Sequence, residues 1–235
     1  MANYISNNCY LPVKKEKKGK NGMRWQVPWG KHTPASWRLH NVAESGGKEV
    51  KQTDVLPVVT IKDPYTWMSS MCRHSYAANW RHTSDHCPNL VANDVDRKSF
   101  PGISDVVHVN VRYKRENVTH HESLFGLWQD WYSEWHNVDF PHLIVRYEDM
   151  LFRTEEVVKK VCECAGGEMI AKNFKYVEDS AKAGAAHKGS SGLISSMIRY
   201  GNSTRRTAFY TEEDLNFVRK KVNQSLFDAY SYHVA

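Results

Sequence analysis

The sequence predicts an α/β protein in which a three-layer arrangement places a mainly parallel sheet between helices. Short β-branched segments recur along the chain, and most of them lead into segments with helix-capping residues and helical periodicity. Strands that alternate with helices favour a parallel sheet, because each helix carries the chain back to the end of the sheet where the next strand begins. Hydrophobic residues make up 41% of the chain, which is enough for a core.

The boundaries of the predicted elements come from β-branched runs and capping residues. VVTI at residues 58–61 favours a strand, and Asp63 and Pro64 then favour the N-cap and first position of a helix. Thr211 predicts the start of the last helix, and a stripe of leucine and tryptophan over residues 122–137 predicts a helix packed on the core. In chain order, the predicted elements are a strand at 23–30, a helix at 31–43, a strand at 55–63, a helix from 64, a polar surface loop at 81–101, a strand at 105–113, a helix at 122–137, a strand at 142–150, and helices at 154–167 and 211–230.

The domain organisation follows from the length of the chain and from its even composition. A chain of 235 residues fits one large domain or two small ones, and no Pro-, Gly- or Ser-rich linker divides it. We therefore expect a basic N-terminal segment over residues 1–22, followed by a single α/β domain over residues 23–235.

The composition limits the possible partners. The formal net charge of +6 favours an anionic partner, although much of the excess lies at residues 14–20, which we interpret as a solvated segment. No recognition motif supports nucleic-acid binding, and no apolar stretch approaches the roughly 20 residues of a membrane span. His82, Asp85, His86 and Cys87 lack the ligand spacing of a structural zinc motif, so we expect no metal site.

The cysteines and the N-terminus predict a cytoplasmic location. The chain has five cysteines, an odd number with irregular spacing, which argues against a disulfide framework and for a reducing compartment. Its N-terminus lacks the apolar region of a signal peptide. N-glycosylation sequons at Asn117, Asn202 and Asn223 matter only for a secreted chain.

Three segments combine basic residues with helix starts or glycines, and we expect them to bind anions. Helix N-termini offer unpaired N–H groups and partial positive charge, and glycine lets the backbone approach a ligand closely. The segments are WGKHTPASW at residues 29–37, IKDPYTWMSS at residues 61–70 and HKGSSG at residues 187–192. Three such segments indicate a ligand with more than one phosphate-like group.

The order and spacing of these segments resemble the motifs of the sulfotransferases that use 3′-phosphoadenosine 5′-phosphosulfate (PAPS). The second motif of that family is Arg-Asp-Pro with a serine eight residues after the arginine. Lys62, Asp63, Pro64 and Ser70 reproduce this spacing, with lysine in place of arginine. The first family motif, P-K-S-G-T-T-W, is similar to residues 31–37.

Three later segments extend the resemblance to the C-terminal half. IVRYEDM at residues 144–150 is similar to the family strand V-x-Y-E-D-[LM], and the glycine-tryptophan helix at residues 126–135 is similar to the one that precedes it. HKGSSG at residues 187–192 resembles the family segment R-K-G-x-x-G. The resemblance therefore runs in order from about residue 23 to the end of the chain.

The resemblance implies a fold related to that of P-loop kinases, PAPS as co-substrate and no metal ion. It implies that Lys31 or His32 stabilises the bridging oxygen, since Lys31 lies six residues before Trp37 where the family has five. His40 and Glu44 are the nearest candidates for a general base. The residues implied for the nucleotide are Thr33 and Ser36 at the 5′ end, Trp37 on the adenine, and Lys62, Ser70, Lys188 and Gly189 at the 3′-phosphate, with Arg199, Arg205 and Arg206 as reinforcements.

The expected reaction is sulfuryl transfer to a hydroxyl or amine of a small molecule or a carbohydrate. Two alternatives stay open: a non-catalytic nucleotide-, anion- or glycan-binding protein on the same fold, and a divergent P-loop kinase. A kinase needs G-K-[ST], which is missing, and an acidic magnesium ligand, for which Glu148 and Asp149 are candidates. The sequence predicts neither the identity of the acceptor nor the oligomeric state.

Overall fold

A computed structural model describes residues 1–12, 33–36, 44–45, 48–49, 53, 55–113, 118–170, 173–177 and 192–235. Contacts between Cα atoms divide the chain into two compact units. The first unit combines Met1–Ile61 with Asp139–Gly201, and the second combines Lys62–Val138 with Asn202–Ala235. Each unit is thus built from two separate stretches of the sequence, while the single domain over residues 23–235 stays a prediction.

The described residues form a mixed α/β protein with short strands. Most of the predicted elements in the described ranges are present, although several are shorter than the sequence pattern indicates. In chain order they are α1 (Ala2–Asn8), β1 (Cys9–Tyr10), β2 (Glu44–Ser45), β3 (Lys48–Glu49), β4 (Val58–Ile61), α2 (Pro64–Met71), β5 (Ala78–Asn79), α3 (Asp94–Ser99), β6 (Val109–Arg112), β7 (Val118–His121), α4 (Leu124–His136), β8 (Leu143–Arg146), α5 (Tyr147–Phe152), α6 (Thr154–Cys164), β9 (Glu168–Met169), α7 (Leu193–Tyr200), a 3-10 helix (Ser203–Arg205), α8 (Glu212–Lys221) and α9 (Gln224–Ala229).

The strand pairing is parallel at one place in the first unit. There β4 pairs with β8, with Val58 opposite Leu143 and Ile61 opposite Arg146. Among the described residues, the other strand pairs are antiparallel: β1 with β9, β2 with β3, and the meander of β5, β6 and β7. The expected mainly parallel sheet is therefore wrong for the described part of the chain. The meander is antiparallel because β6 and β7 are consecutive strands joined by a short connection, which cannot form a parallel crossover.

Two disulfide bonds correct the expectation of a chain without a disulfide framework. Cys9 and Cys162 are bonded across a sequence separation of 153 residues in the first unit, and Cys72 and Cys87 are bonded across 15 residues in the second. The remaining cysteine, Cys164, is exposed and unbonded. Irregular spacing did not reveal the pairs, because one of them joins residues that meet only after the chain has folded.

Gly167 lies directly against the disulfide of the first unit. A Cβ atom at this position would lie 2.8 Å from Cys9 Sγ, 2.9 Å from Cys162 Sγ and 2.9 Å from the carbonyl oxygen of Tyr10. The backbone N–H of Gly167 also donates to the carbonyl oxygen of Cys162 at 2.8 Å. The turn after α6 therefore closes over the disulfide at a distance that only glycine permits.

The core of the second unit is built around α4, as the tryptophan stripe predicts. Ser123 caps this helix by accepting a hydrogen bond from the N–H of Gly126, and Trp128 is fully buried on its inner face. Phe227 of α9 packs against Trp128 with the two ring centroids 5.6 Å apart in an edge-to-face arrangement. Large aromatic rings supply most of the apolar area that such a small core buries.

The segment at residues 81–101 is not the polar surface loop that the sequence predicts. It contains α3, whose capping box pairs Asn93 with Asp96, and it buries Leu90 completely. A helix of this length has too few apolar residues for its periodicity to be visible in the sequence. Three of the polar residues that suggested solvent exposure, His86, Asn93 and Asp96, instead form hydrogen bonds inside the unit.

His86 is the centre of this buried polar group. Its Nδ1 lies 2.6 Å from a carboxylate oxygen of Asp96, and its Nε2 lies 3.0 Å from one of Asp214. The imidazole is 5% exposed and both carboxylates are fully buried. Asp214 also closes the capping box of α8 with Thr211, as the sequence predicts, and accepts hydrogen bonds from the N–H groups of Leu90 and Val91.

The surroundings of His86 favour the imidazolium cation. The hydrogen bond to Asp214 raises the pKa of His86 from 6.5 to about 9. Burial of the imidazole opposes this rise, and the hydrogen bond to the carboxylate of Asp96 adds to it. Burial by itself would raise the pKa of Asp214, but the hydrogen bonds from His86, Leu90 and Val91 hold it below its usual range. The three side chains thus form a buried ion group of two anions and one cation, which ties α3 to α8.

Candidate functional site

The junction between β4 and α2 has the geometry that its sequence predicts. β4 ends at Ile61 and α2 begins at Pro64, with Pro64 in the first turn. Asp63 is the N-cap, and its Oδ1 accepts a hydrogen bond of 3.0 Å from the N–H of Thr66. A half-buried strand therefore leads into a helix through two residues, and the first of them is Lys62.

Lys62 and Ser70, the two residues proposed for a 3′-phosphate, are in direct contact. Lys62 Nζ donates to Ser70 Oγ at 2.6 Å, and Ser70 Oγ donates in turn to the carbonyl oxygen of Thr66 at 2.8 Å. The contact forms because the long lysine side chain reaches along the helix to the position eight residues later. Both side chains are half-buried, so the contact lies at the surface of the second unit.

The backbone of Lys62 is held by the core of the same unit. The indole N–H of Trp128 donates to the carbonyl oxygen of Lys62 at 2.9 Å. Because Trp128 is fully buried, this hydrogen bond fixes the point from which the lysine side chain extends. The sequence predicted Trp128 as a core residue and gave no signal for this bond, because the two residues are 66 positions apart.

Arg206 is the third charged side chain at the start of α2. Its Nε and Nη2 both lie 2.8 Å from Oδ2 of Asp63, and its guanidinium lies over the ring of Tyr65 at 4.4 Å from the centroid. Its Nη2 also donates to the carbonyl oxygen of His233. Arg206 therefore pairs with the carboxylate at the cap, and Lys62 places a second cation against Ser70 near the C-terminal end of α2. We call Lys62, Asp63, Ser70 and Arg206 the junction site.

The junction site can attract an anion for two physical reasons. The Lys62 ammonium supplies a positive charge beside the Ser70 hydroxyl, and the N-terminus of α2 supplies a partial positive charge at Asp63. An ammonium group has three N–H donors, so a bound anion can share Lys62 with Ser70. Arg206 compensates the charge of Asp63, which would otherwise repel an anion at the cap.

Several predicted site residues belong to the first unit or lie outside the described residues. Thr33 and Ser36 are half-buried on either side of the buried Pro34 and Ala35. Glu44 is in β2, where its backbone pairs with Glu49 of β3. The predicted residues that lie outside the described ranges are Lys31, His32, Trp37, His40, Lys188 and Gly189.

In the other polar clusters of the second unit, the side chains are bonded to one another. His86 is bound between two carboxylates, Cys87 is in a disulfide, and His121 Nδ1 lies 2.6 Å from a carboxylate oxygen of Asp130. Within the described ranges, no group of three or more His, Cys, Asp or Glu side chains has the arrangement of a metal site. The junction site is therefore the arrangement best suited to an anionic ligand among these clusters.

Comparisons with known proteins assign no family to this chain. No protein-family model, no curated protein and no solved structure matches it. In the part of the chain that the structure describes, no helix has both the length and the apolar character needed to cross a membrane. A proposal about function therefore depends on the geometry of the junction site and on the order of the sequence motifs.

Proposed function

We propose that the chain is a PAPS-dependent sulfotransferase with a fold related to that of P-loop kinases. The observation that carries the proposal is the 2.6 Å contact between Lys62, which precedes α2, and Ser70, which lies near the C-terminal end of that helix. The half-buried strand β4, which pairs in parallel with β8, leads into this helix. This contact supports the proposal that both residues bind the same chemical group of the ligand, as the family motif implies. The proposed ligand group is the 3′-phosphate of the nucleotide.

The charge of the junction site supports a phosphate as its ligand. A phosphate dianion would accept hydrogen bonds from Lys62 Nζ and from the Ser70 hydroxyl, which would turn away from Thr66 to donate to it. The hydrogen bond from Trp128 to the backbone of Lys62 would hold the site in place as the ligand binds. Such preorganisation lowers the entropic cost of binding.

The proposed reaction is an in-line transfer of the sulfuryl group. An acceptor oxygen or nitrogen attacks the sulfur, the bond from sulfur to the bridging oxygen breaks, and 3′-phosphoadenosine 5′-phosphate leaves with the electron pair. Lys31 or His32 would stabilise charge on the bridging oxygen, and His40 or Glu44 would accept the proton of the acceptor. The junction site would contribute by positioning the nucleotide for this attack.

The two disulfides bear on the compartment in which this reaction takes place. Disulfides form and persist in oxidising environments and are rare in the cytosol. The bond between Cys9 and Cys162 and the bond between Cys72 and Cys87 therefore support an oxidising compartment instead of the cytoplasm that the cysteine spacing predicted. We include this location in the proposal, with a carbohydrate as the preferred class of acceptor.

Calorimetric titration with 3′-phosphoadenosine 5′-phosphate tests the proposal. We expect binding by the wild type, weaker binding of ATP, and about 100-fold weaker binding of the bisphosphate by the Lys62→Ala, Ser70→Ala double variant. The reason is that a lost charge-assisted hydrogen bond costs about 1.5–3 kcal/mol, and about 1.4 kcal/mol corresponds to a factor of ten. Lys98→Ala, which removes an exposed lysine of α3, is the matched control and should bind as the wild type does.

Three outcomes separate the proposal from its alternatives. A wild type that does not bind the bisphosphate rules out the sulfotransferase assignment. Binding without transfer from PAPS to an array of sugar, alcohol and amine acceptors favours a non-catalytic binding protein. Tighter binding of ATP than of the bisphosphate favours a kinase.

A further inference from the structure

We propose that Asn202 and Asn223 are N-glycosylated in the oxidising compartment indicated by the disulfides. Both residues begin N-x-S/T sequons: Asn202-Ser203-Thr204 and Asn223-Gln224-Ser225. The middle residue is not proline in either case, as the sequon requires. This inference goes beyond the proposed transfer activity and does not depend on the junction site.

Both sequons lie fully at the surface of the second unit. Asn202, Ser203 and Thr204 are all exposed, and so are the three residues of the second sequon. Each sequon begins a short helical element, with Asn202 at the start of the 3-10 helix and Asn223 at the start of α9. A glycan at either position would extend into solvent and displace no core side chain.

The capping bonds of Asn202 are made by its side-chain oxygen. Its carbonyl oxygen Oδ1 accepts from the N–H of Thr204 at 3.1 Å and from the Thr204 hydroxyl at 2.6 Å. The hydroxyl of the sequon therefore already contacts the amide that would be modified. At Asn223 it is likewise Oδ1 that accepts, from the N–H of Leu226 at 3.2 Å. In both residues these capping bonds use the oxygen and not the nitrogen Nδ2.

The compartment and the sequons support each other. Asparagine glycosylation takes place in the lumen in which disulfides form. The bond from Cys9 to Cys162 joins two thiols by oxidation, and because they lie 153 positions apart it forms in a chain that folds under oxidising conditions. A chain that folds there presents exposed sequons to the glycosylation machinery.

The modification transfers an oligosaccharide from a lipid-linked oligosaccharide diphosphate. A bond forms between Nδ2 of the asparagine and C1 of the first sugar, and the bond between that C1 and the diphosphate oxygen breaks. The amide nitrogen loses one proton, and the lipid diphosphate leaves with the electron pair of the broken bond. No oxidant or reductant is required.

The test uses the full chain with Asn117→Gln, so that every N-glycan reports on the two proposed sites. The chain is expressed behind a secretory leader in eukaryotic cells, and its intact mass is measured before and after treatment with peptide N-glycosidase. We expect a glycan at each site, with Asn202 and Asn223 converted to aspartate by the enzyme. Asn202→Gln and Thr204→Ala should each remove the first glycan, and Asn223→Gln and Ser225→Ala the second.

Conservative variants separate loss of the sequon from loss of folding. Thr204→Ser keeps a hydroxyl and Ser203→Ala changes only the middle residue, so both should retain the glycan at Asn202. A non-reducing peptide map confirms the bond between Cys9 and Cys162 in the same samples.

Unmodified Asn202 and Asn223 in disulfide-bonded protein overturn the proposal, as does a glycan that persists in Thr204→Ala and Ser225→Ala. Failure to recover disulfide-bonded protein from the secretory pathway also overturns it, because the proposal requires that compartment.

Discussion

Replacing His86 with alanine is expected to lower the free energy of unfolding by about 3–5 kcal/mol, the cost of removing one partner from a buried ion pair. The variant leaves Asp96 and Asp214 buried without the cation that lies 2.6 Å and 3.0 Å from them. Urea unfolding followed by tryptophan fluorescence measures the effect, because Trp128 lies in the core of the same unit.

His120→Ala is the matched control for this substitution. His120 is an exposed histidine of β7 whose ring contacts Asn110, so its loss should change the free energy of unfolding by no more than about 0.5 kcal/mol. If His86→Ala and His120→Ala unfold at the same urea concentration, the buried ion group does not stabilise the unit.

The same group predicts how stability depends on pH. The folded-state pKa of His86 is about 9 and the unfolded value is 6.5, so protonation stabilises the folded chain. This contribution is fully present below pH 6.5 and is lost as the pH rises through about 9. Its size is about 3–4 kcal/mol, from about 1.4 kcal/mol for each unit of pKa shift. His86→Ala should lack this dependence, so unfolding free energies that fall equally in wild type and variant would contradict the assignment.

Removing the disulfide of the first unit is expected to lower its free energy of unfolding by about 3–5 kcal/mol. The bond closes a loop of 153 residues, and a cross-link over so long a loop strongly restricts the unfolded chain. The Cys9→Ala, Cys162→Ala variant also removes the two sulfur atoms that lie against Gly167, so packing is lost together with the cross-link. Thermal and urea unfolding without reductant measure the change.

Two controls make this second prediction specific. Cys164→Ala removes an exposed, unbonded thiol and should leave stability within about 0.5 kcal/mol of the wild type. Added reductant should destabilise the wild type and leave the Cys9→Ala, Cys162→Ala variant less affected, because that variant retains only the bond between Cys72 and Cys87. If the double variant unfolds at the same temperature and urea concentration as the wild type, the cross-link is not a major source of stability.

Features set by neighbouring residues could be predicted from the sequence. The strand over Val58–Ile61, the cap at Asp63 and the helix that begins at Pro64 all lie within one short segment. Thr211 and its capping box were predicted for the same reason. A β-branched run, a capping residue and helical spacing act over a few positions, so they can be recognised without knowledge of the fold.

Features set by distant residues could not be predicted in this way. Nothing near Cys9 indicates Cys162, because the two residues meet only in the folded chain. The resemblance named Arg206 as a reinforcement at the 3′-phosphate, but nothing near Asp63 indicates the ion pair between them. The polar segment around His86 was assigned to solvent for the same reason: its partner Asp214 lies 128 positions later. Polarity in a sequence indicates exposure only when no buried partner compensates it.

Asp214 has a consequence for how this chain can change over evolutionary time. One carboxylate closes the capping box of α8, binds His86 and accepts from the backbone of Leu90 and Val91. The histidine depends on this aspartate for its charge, while the aspartate has the cap and two backbone N–H groups to serve even where the histidine is lost. Position 214 should therefore tolerate substitution less than position 86 does.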